Sequence, residues 1–203
     1  MPGSATLRSD LDVAALLRET ATRGAAIAFD ALDREFYKRL AHEVSTGPYQ
    51  PMPEEHGRAQ QEAEILRVEC DSPLYPEIRQ LGAELVRSFH GSSIGVEGVT
   101  EWVPNEVDVQ RYRALTLGIT PHLDHKRYRL LIVIVTVGDS APFTLCKDRD
   151  GNVLKQWQAE ARSLILLRAP GLGCAEDGRP LHAISGPPVG TRISITWRMN
   201  SHQ

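Results

Sequence analysis

The sequence of 203 residues has few cysteines, no long apolar run and little net charge. Cys70, Cys146 and Cys174 are far apart and form no Cys-x-x-Cys pair, which argues against a disulfide framework and fits a reducing compartment. The longest apolar run, residues 130–137, is interrupted by a threonine and is far too short to span a bilayer. Residues 1–12 contain no apolar signal core. We therefore expect a soluble, cytoplasmic protein without a membrane partner.

The charge balance also disfavours one class of partner, nucleic acid. A formal net charge of -3 and a pI near 6.2 give no support for strong, non-specific attraction to a phosphate backbone. The chain is long enough to bury a core without disulfides or structural metal. We expect a single domain over residues 1–203, in which residues 1–100 provide helical support and a possible lid and residues 101–203 form the core.

The N-terminal half has three segments whose apolar residues recur at helical spacing. A short strand is expected between the first two segments. The helices are predicted at 10–22, capped by Ser9 or Asp10, at 31–44, and at 76–90 with a proline in its first turn, and the strand at 25–29.

Residues 45–58 are polar and rich in proline and glycine, and the sequence predicts no helix or strand there. A loop of this length in a compact domain is often functional, so we interpret it as a mobile lid over a substrate. A plain surface connection is the alternative. The side chains available to read a substrate are those of Tyr49, Met52, Glu54, Glu55 and His56, of which the acidic pair suits a cationic group.

From Glu106 onward the pattern becomes typical of β-strands. Short β-branched or alternating runs are separated by turn residues such as Asp150-Gly151-Asn152 and Gly186-Pro187-Pro188. Seven or eight strands at this spacing indicate a barrel or a double-sheet jelly roll. The strands are expected around 107–109 and at 128–137, 143–146, 153–159, 164–167, 182–184 and 192–198.

Two histidines and a carboxylate form the first candidate site. His122 and Asp124 are two residues apart, and we place them at the start of a strand, where such residues share a face. With His182 they could hold iron(II) on one side of its coordination sphere and leave the other positions open. The alternative is a solvated polar strand end, which the following His125-Lys126-Arg127 would suit.

The last predicted strand carries a second candidate site. Arg192, Ser194, Thr196 and Arg198 alternate with apolar residues and therefore share one face. If that face is interior, its two arginines must serve an anion, because unpaired buried charge is prohibitive. An outer strand with solvated arginines is the alternative.

Upstream of His122, the side chains of Gln110 and Tyr112 also share a strand face. An amide and a hydroxyl that point inward would complete a site for a carboxylate. A tyrosine that covers the edge of the core is the alternative interpretation.

The order of these motifs resembles the AlkB-like branch of the iron(II)/2-oxoglutarate dioxygenases. Gln-Arg-Tyr, Pro-His-Leu-Asp, a distal histidine and Arg-Ile-Ser-Ile-Thr-Trp-Arg are similar to that family's Asn-x-Tyr, His-x-Asp, His and Arg-x-Asn-x-Thr-x-Arg. The similarity covers about 106–200. Gln110 and Ser194 replace family asparagines, and Arg192 follows His182 more closely than in AlkB proper.

The resemblance implies a double-stranded β-helix (jelly-roll) core supported by N-terminal helices, a mainly β fold of the α+β type. It implies iron(II), 2-oxoglutarate and O2 as cofactor and cosubstrates. By position, His122, Asp124 and His182 would hold the iron. Arg192 would bind the distal carboxylate of 2-oxoglutarate and Arg198 would lie near its keto-acid end; Tyr112, Gln110, Thr196 and Ser194 match the rest of that site.

We expect hydroxylation of a small-molecule or amino-acid-like substrate, with release of succinate and CO2. AlkB-type demethylation of alkylated nucleic acid is the alternative within the enzyme class. It is disfavoured because His125-Lys126-Arg127 stands where those demethylases tend to carry acidic residues, and because no nucleotide-flipping lid can be matched in residues 45–100. An inactive jelly-roll binding module is the alternative outside it.

Overall fold

The computed structural model describes residues 5–92 and 95–202, which form two antiparallel β-sheets with three helices against the larger sheet. This confirms a mainly β fold with a jelly-roll core. The helices are α1 (Val13–Arg23), α2 (Arg34–Ser45) and α3 (Pro76–Gly91). The strands are β1 (Ala25–Ala28), β2 (Gln50–Pro51), β3 (Glu55–His56), β4 (Ala59–Glu62), β5 (Glu64–Val68), β6 (Glu106–Arg113), β7 (Gly118–His122), β8 (Tyr128–Gly138), β9 (Ala141–Cys146), β10 (Val153–Ala159), β11 (Leu164–Arg168), β12 (His182–Ile184) and β13 (Thr191–Asn200).

Side-chain caps fix where the first two helices begin. Asp12 accepts a hydrogen bond from the backbone N–H of Ala15, so α1 begins later than predicted and neither Ser9 nor Asp10 is its cap. Asp33 caps α2 in the same way. Within the described ranges, none of the helices is both long enough and apolar enough to cross a membrane.

The order of strands in the larger sheet is β1-β11-β8-β13-β6-β5-β2, and in the smaller sheet it is β10-β9-β12-β7-β4-β3. Strand β8 lies in the middle of the larger sheet and is buried on both faces, as its β-branched run predicts. The strands that carry His122 and His182 lie in the smaller sheet, and those that carry Tyr112 and Arg192 lie in the larger one. The candidate residues therefore meet between the sheets.

Strand β13 separates two different environments. Ile193, Ile195 and Trp197 face the helices, and Trp197 packs so closely on α3 that a Cβ at Gly82 would lie 2.9 Å from its Nε1. The alternate residues from Arg192 to Arg198 face the space between the sheets, beside apolar residues such as Ile132 and Ile134 of β8. The polar face of this strand is thus interior, and the alternative of solvated arginines is wrong.

Residues 50–68 differ from the expectation for the N-terminal half. They form β2 to β5, which extend both sheets, so the prediction of no regular structure in residues 45–58 is wrong for Gln50–Pro51 and Glu55–His56. Tyr49 is buried, and its hydroxyl donates to the carbonyl of Val44, so it is not available to a substrate. Glu54 and Glu55 are exposed, and the side chain of His56 lies outside the described residues.

Candidate active site

The three predicted metal ligands come together at one mouth of the jelly roll. His122 is the last residue of β7 and His182 the first of β12, and the two are register partners across this strand pair. Asp124 follows in the loop after β7. The prediction that His122 and Asp124 open a strand is therefore wrong in detail: the pair stands where a strand ends, and the loop turns the carboxylate back towards the imidazoles.

The distances suit one small cation. The ligand atoms of His122, Asp124 and His182 all lie within 4.8 Å of one another, and His182 Nε2 is 3.5 Å from Asp124 Oδ2. The rings of the two histidines have centroids 4.3 Å apart. Metal–ligand bonds near 2 Å to each residue would fit within this triangle.

Backbone contacts fix the orientation of both imidazoles. The Nδ1 atom of His122 lies 2.9 Å from the carbonyl oxygen of Thr120, and Nδ1 of His182 lies 3.1 Å from that of Pro180. A carbonyl can accept but not donate, so Nδ1 carries the proton in each ring and Nε2 keeps its lone pair. Phe143 stacks on His182 at a centroid distance of 5.4 Å. These contacts hold both rings ready to bind a metal.

The electrostatics favour the ligand forms of these side chains. Burial, together with the neighbouring His182, lowers the pKa of His122 to about 4, so its imidazole is neutral at pH 7. Burial opposes ionisation of Asp124, but His182, His122 and Arg198 outweigh it and hold the pKa of this carboxyl below its ordinary value. Arg179 also donates to the backbone carbonyl of Asp124 and so holds the loop.

A glycine allows the two ligand strands to approach each other. Gly118, the first residue of β7, has φ 76°, and a Cβ there would overlap the carbonyl oxygen of Ile184 in β12. Both the backbone conformation and the contact therefore require glycine.

Arg192 lies deeper between the sheets and is fully buried. Its Nη2 is 3.4 Å from the hydroxyl of Thr136, and its guanidinium lies 5.5 Å from the ring centre of Tyr112. Its Nε and Nη1 atoms have no hydrogen-bond partner in the described part of the chain, and neither have the buried hydroxyls of Ser194 and Ser163. Arg192, Thr136 and Tyr112 thus form a cationic cradle, in which no carboxylate of the described residues pairs with the guanidinium.

The other candidate cosubstrate residues lie close to this cradle. Tyr112 is register partner of Arg192, and its hydroxyl donates to Gln110 Oε1 at 3.0 Å. Burial raises the pKa of Tyr112 to about 12, so it stays a neutral donor. Gln110 also lies 3.8 Å from the sulfur of Met52, and Thr196 is buried further along β13.

Arg198 is buried too, but carboxylates of the chain itself surround it. Its Nη1 donates to Asp108 Oδ2 at 2.6 Å and to Glu106 Oε1 at 3.5 Å. Burial alone would lower the pKa of Arg198, yet Asp108, Asp124 and Glu106 raise it above its ordinary value. The anion that this guanidinium requires is thus provided by the chain itself.

A cavity of about 780 Å³ opens beside the metal ligands. Strands β5, β6 and β13 form one wall of it, and the end of β7 forms the other, with His122 and Asp124. Met52 and Pro53, from the segment predicted as a lid, also line it.

Several residues of the site escaped prediction from the sequence. Thr136, which contacts Arg192, and Ser163, whose backbone carbonyl accepts from the N–H of Thr136, are single hydroxyls in or next to apolar runs, and no motif marks them. Glu106 and Asp108 could have been found, because they alternate with the apolar residues of β6 and so share the inward face of Gln110 and Tyr112.

Comparisons with known proteins support the fold. No model of a protein family matches the sequence, and no curated protein is significantly similar to it. Many solved structures are similar in fold, among them the following three. A prolyl hydroxylase from Trichoplax adhaerens, in complex with a hypoxia inducible factor oxygen degradation domain peptide fragment, has a TM-score of 0.64 and 13% identity, covering 92% of this chain and 88% of that one.

The second, an oxidoreductase of the 2OG-Fe(II) oxygenase family from Burkholderia pseudomallei, has a TM-score of 0.61 and 13% identity, covering 98% of this chain and 97% of that one. The third, a prolyl-4-hydroxylase from Pseudomonas putida, has a TM-score of 0.65 and 16% identity over 92% and 98%. At such identities the likeness concerns the fold, and the narrower AlkB-like assignment stays a prediction. The chain has the double-stranded β-helix fold of the 2-oxoglutarate/iron(II) oxygenases.

Proposed function

We propose that this protein is an iron(II)- and 2-oxoglutarate-dependent dioxygenase that hydroxylates a C–H bond of a small, amino-acid-like substrate. One observation carries the proposal. A His-Asp-His group and a fully buried arginine without an anionic partner in the described residues occupy the same interior, between the sheets of a jelly roll.

The donor set fits iron(II). Two imidazole nitrogens and one carboxylate on one side of a metal leave the opposite positions open for a chelating cosubstrate and for O2. His122 and His182 would bind through Nε2, because Nδ1 of each ring faces a backbone carbonyl. Asp124 would bind as a carboxylate, in agreement with its lowered pKa.

The cradle around Arg192 fits the distal carboxylate of 2-oxoglutarate. A buried guanidinium costs several kcal/mol unless an anion neutralises it, and a carboxylate can accept two parallel hydrogen bonds from it. The unpartnered Nε and Nη1 atoms supply such donors, the hydroxyl of Thr136 lies 3.4 Å from Nη2, and Ser194 lies two residues along the same face of β13. Tyr112 and Gln110 would assist, with Thr196 further along the strand.

When bound, iron(II), 2-oxoglutarate and O2 together supply the oxidising chemistry, which yields succinate, CO2 and a hydroxylated product. The protein positions the reactants and excludes bulk water. His122 and His182 are fixed by backbone carbonyls, Arg192 orients the cosubstrate from the closed interior, and the cavity beside Asp124 admits the primary substrate.

The cavity favours a small substrate. Its volume of about 780 Å³ suits a metabolite. Three arginines and three carboxylates besides Asp124 line it, so it lacks the excess of positive charge that a nucleic acid would need. These residues are Arg67, Arg127, Arg198, Glu69, Glu106 and Asp108.

Metal binding and cosubstrate turnover test the proposal together. Under anaerobic conditions, calorimetric titration of the chain with iron(II) is expected to give one site, and His182→Ala should abolish it because two ligands cannot hold the ion firmly. In air, the wild-type chain should convert 2-oxoglutarate to succinate and His182→Ala should not. His42→Ala, an exposed position on α2, is the matched control. Unchanged iron binding in His182→Ala would refute the proposed centre.

A further inference from the structure

We propose that Arg67, Glu69 and Asp108 form a recognition site for a zwitterion of the α-amino-acid type, with Arg67 binding its carboxylate and the two acids its ammonium group. The inference rests on the proposed function, for which it names the substrate class. The charged side chains that line the cavity differ in whether other residues of the chain already bind them.

Most of these charges are already engaged with each other. Glu106 accepts hydrogen bonds from the hydroxyl of Tyr128 at 2.6 Å and from Asn200 Nδ2 at 2.9 Å, and it also contacts Arg198 and Arg127. A substrate that displaced any of these contacts would leave a half-buried charge without its partner, which is costly. This inner wall is therefore polar and fixed, and contributes little free charge.

Arg67 and Glu69 are different. They lie two residues apart on β5 and directly after it, both line the cavity, and both are exposed. Throughout the described ranges neither side chain makes an ion pair or a hydrogen bond. One positive and one negative group thus face the same space without neutralising each other.

Asp108 completes the arrangement. It is the register partner of Arg67 across β5 and β6, so their Cα atoms are about 5 Å apart. Opposite charges in such a cross-strand position usually attract each other. Here the Oδ2 atom of Asp108 binds Arg198 instead, and the other carboxylate oxygen has no partner within the described residues. Arg67 and Asp108 are thus placed to form a cross-strand ion pair but do not form it, and both side chains line the cavity.

A ligand that carries both a negative and a positive charge would pair with Arg67 and with the two acids. A carboxylate would take two hydrogen bonds from the guanidinium of Arg67, and an ammonium group would lie between the carboxylates of Asp108 and Glu69. Its side chain would then extend along the cavity towards His122 and Asp124. An internal residue of a peptide lacks both charges and would gain nothing from this site.

The experiment uses the full chain loaded with nickel(II), which is inert to turnover, and 2-oxoglutarate. The probes are the proteinogenic L-amino acids, with their N-acetyl and carboxamide derivatives, and binding is followed by ligand-observed NMR and calorimetry. We expect at least one amino acid to bind, and each of its two derivatives to bind at least about 10-fold more weakly, the worth of one charge-assisted contact. Equal binding of the derivatives would overturn the proposal.

Variants locate the recognition. Arg67→Met should weaken binding of the amino acid about 10-fold, so that this variant binds the amino acid and its carboxamide with equal affinity. Glu69→Gln should also weaken binding of the amino acid, so that its affinity comes closer to that of the N-acetyl derivative. Arg79→Met, at an exposed arginine of α3 away from the cavity, is the matched control and should change nothing. An Arg67→Met variant that still discriminates against the carboxamide would overturn the assignment.

Failure of this inference is separable from failure of the proposed function. A chain that binds metal and 2-oxoglutarate normally, but binds none of the amino acids, refutes the zwitterion site and leaves the dioxygenase proposal standing. A chain that binds neither metal nor 2-oxoglutarate refutes both.

Discussion

Arg192 and Arg198 lie on the same face of the same strand, and both are buried, yet their surroundings are opposite. Arg198 has the carboxylates of Asp108 and Glu106 as partners. Arg192 has the hydroxyl of Thr136 and the ring of Tyr112 beside it, and its Nε and Nη1 lack a partner in the described residues, whereas in Arg198 only Nε does. The shifts in pKa follow: burial lowers the pKa of Arg192, and the carboxylates raise that of Arg198.

The fold itself neutralises Arg198, whereas it leaves Arg192 to be neutralised by a ligand. A buried charge must find a counter-charge, and the chain provides one at Arg198. At Arg192 it provides shape and neutral donors instead. The unneutralised arginine is therefore the better candidate for the cosubstrate carboxylate, and Arg198 serves the wall of the substrate cavity.

The largest expected effect concerns stability without cosubstrate. Arg198→Met should lower the free energy of unfolding by about 3–5 kcal/mol, because it leaves the carboxylate of Asp108 without its cation and removes the more buried of the two cations beside Glu106. Arg192→Met should leave it unchanged or raise it, since it removes a buried charge that has no counter-charge in the described residues. Urea unfolding of both variants measures this contrast. An equal loss in the two variants would contradict it.

For the affinity of 2-oxoglutarate, we expect substitution of Arg192 to have the larger effect and substitution of Arg198 the smaller. Arg192→Ala is expected to raise the dissociation constant of 2-oxoglutarate by about 10- to 100-fold, which corresponds to about 1.5–3 kcal/mol for a charged hydrogen-bonded contact. Arg192→Lys should recover part of the affinity, because an ammonium group cannot reproduce the guanidinium fork. Calorimetry in the presence of a metal tests this. A larger increase of the dissociation constant in Arg198→Ala would show that Arg198, and not Arg192, binds the distal carboxylate.

A smaller effect on 2-oxoglutarate binding is expected from the Thr136 hydroxyl, which lies beside Arg192. Thr136→Val keeps the shape of the side chain and removes its hydroxyl. It should therefore weaken the binding of 2-oxoglutarate by about 0.5–1.5 kcal/mol. Iron(II) binding should not change. Thr144→Val, a buried position of β9 that bonds Gln156, is the matched control and should leave 2-oxoglutarate affinity intact. Equal weakening in both variants would indicate a general loss of packing.

The smallest effect is expected at a pair on the opposite face of the sheet. Hydrogen bonds from Arg111 and also from Arg113 lower the pKa of Glu64 to about 2. Because the folded pKa lies below the ordinary value of 4.5, the pair stabilises the protein above that pH and less as the pH falls towards 2. Glu64→Gln should lower the free energy of unfolding by about 0.2–1 kcal/mol at pH 7. In urea unfolding, the difference from wild type should shrink steadily below pH 4.5, and a constant difference would contradict the ion pair.

Local patterns predicted the parts of the fold that depend on local physics. The apolar run of β8 and the alternation in β13 indicated two strands, and α3 was expected within one residue of its bounds. Residues 59–62, Ala-Gln-Gln-Glu, gave no strand signal, because their pairing with β7 arises from the neighbouring strand rather than from β-propensity.

The site divides in the same way. The ligand triad and Arg192 are indicated by spacing and by the family resemblance, and the structure places the three ligand side chains together and buries Arg192 between the sheets, while their roles stay predictions. The partners of Arg198 depend on the register between β13 and β6, which pairs Arg198 with Glu106 and Thr196 with Asp108. Register is a long-range property that no short motif encodes. For the same reason the burial of Tyr49, under the guanidinium of Arg111, could not be anticipated.

The glycine at position 118 has a consequence for anyone who would graft this centre onto another jelly roll. A transplant of His122, Asp124 and His182 would carry every coordinating atom, yet the spacing of the two imidazoles depends on a backbone contact that one added methyl group would break. Gly118→Ala in the native chain would thus disrupt the geometry of the metal site although all three ligand residues are still present. The unit that must be moved is the strand pair, with its bare α-carbon, rather than the triad.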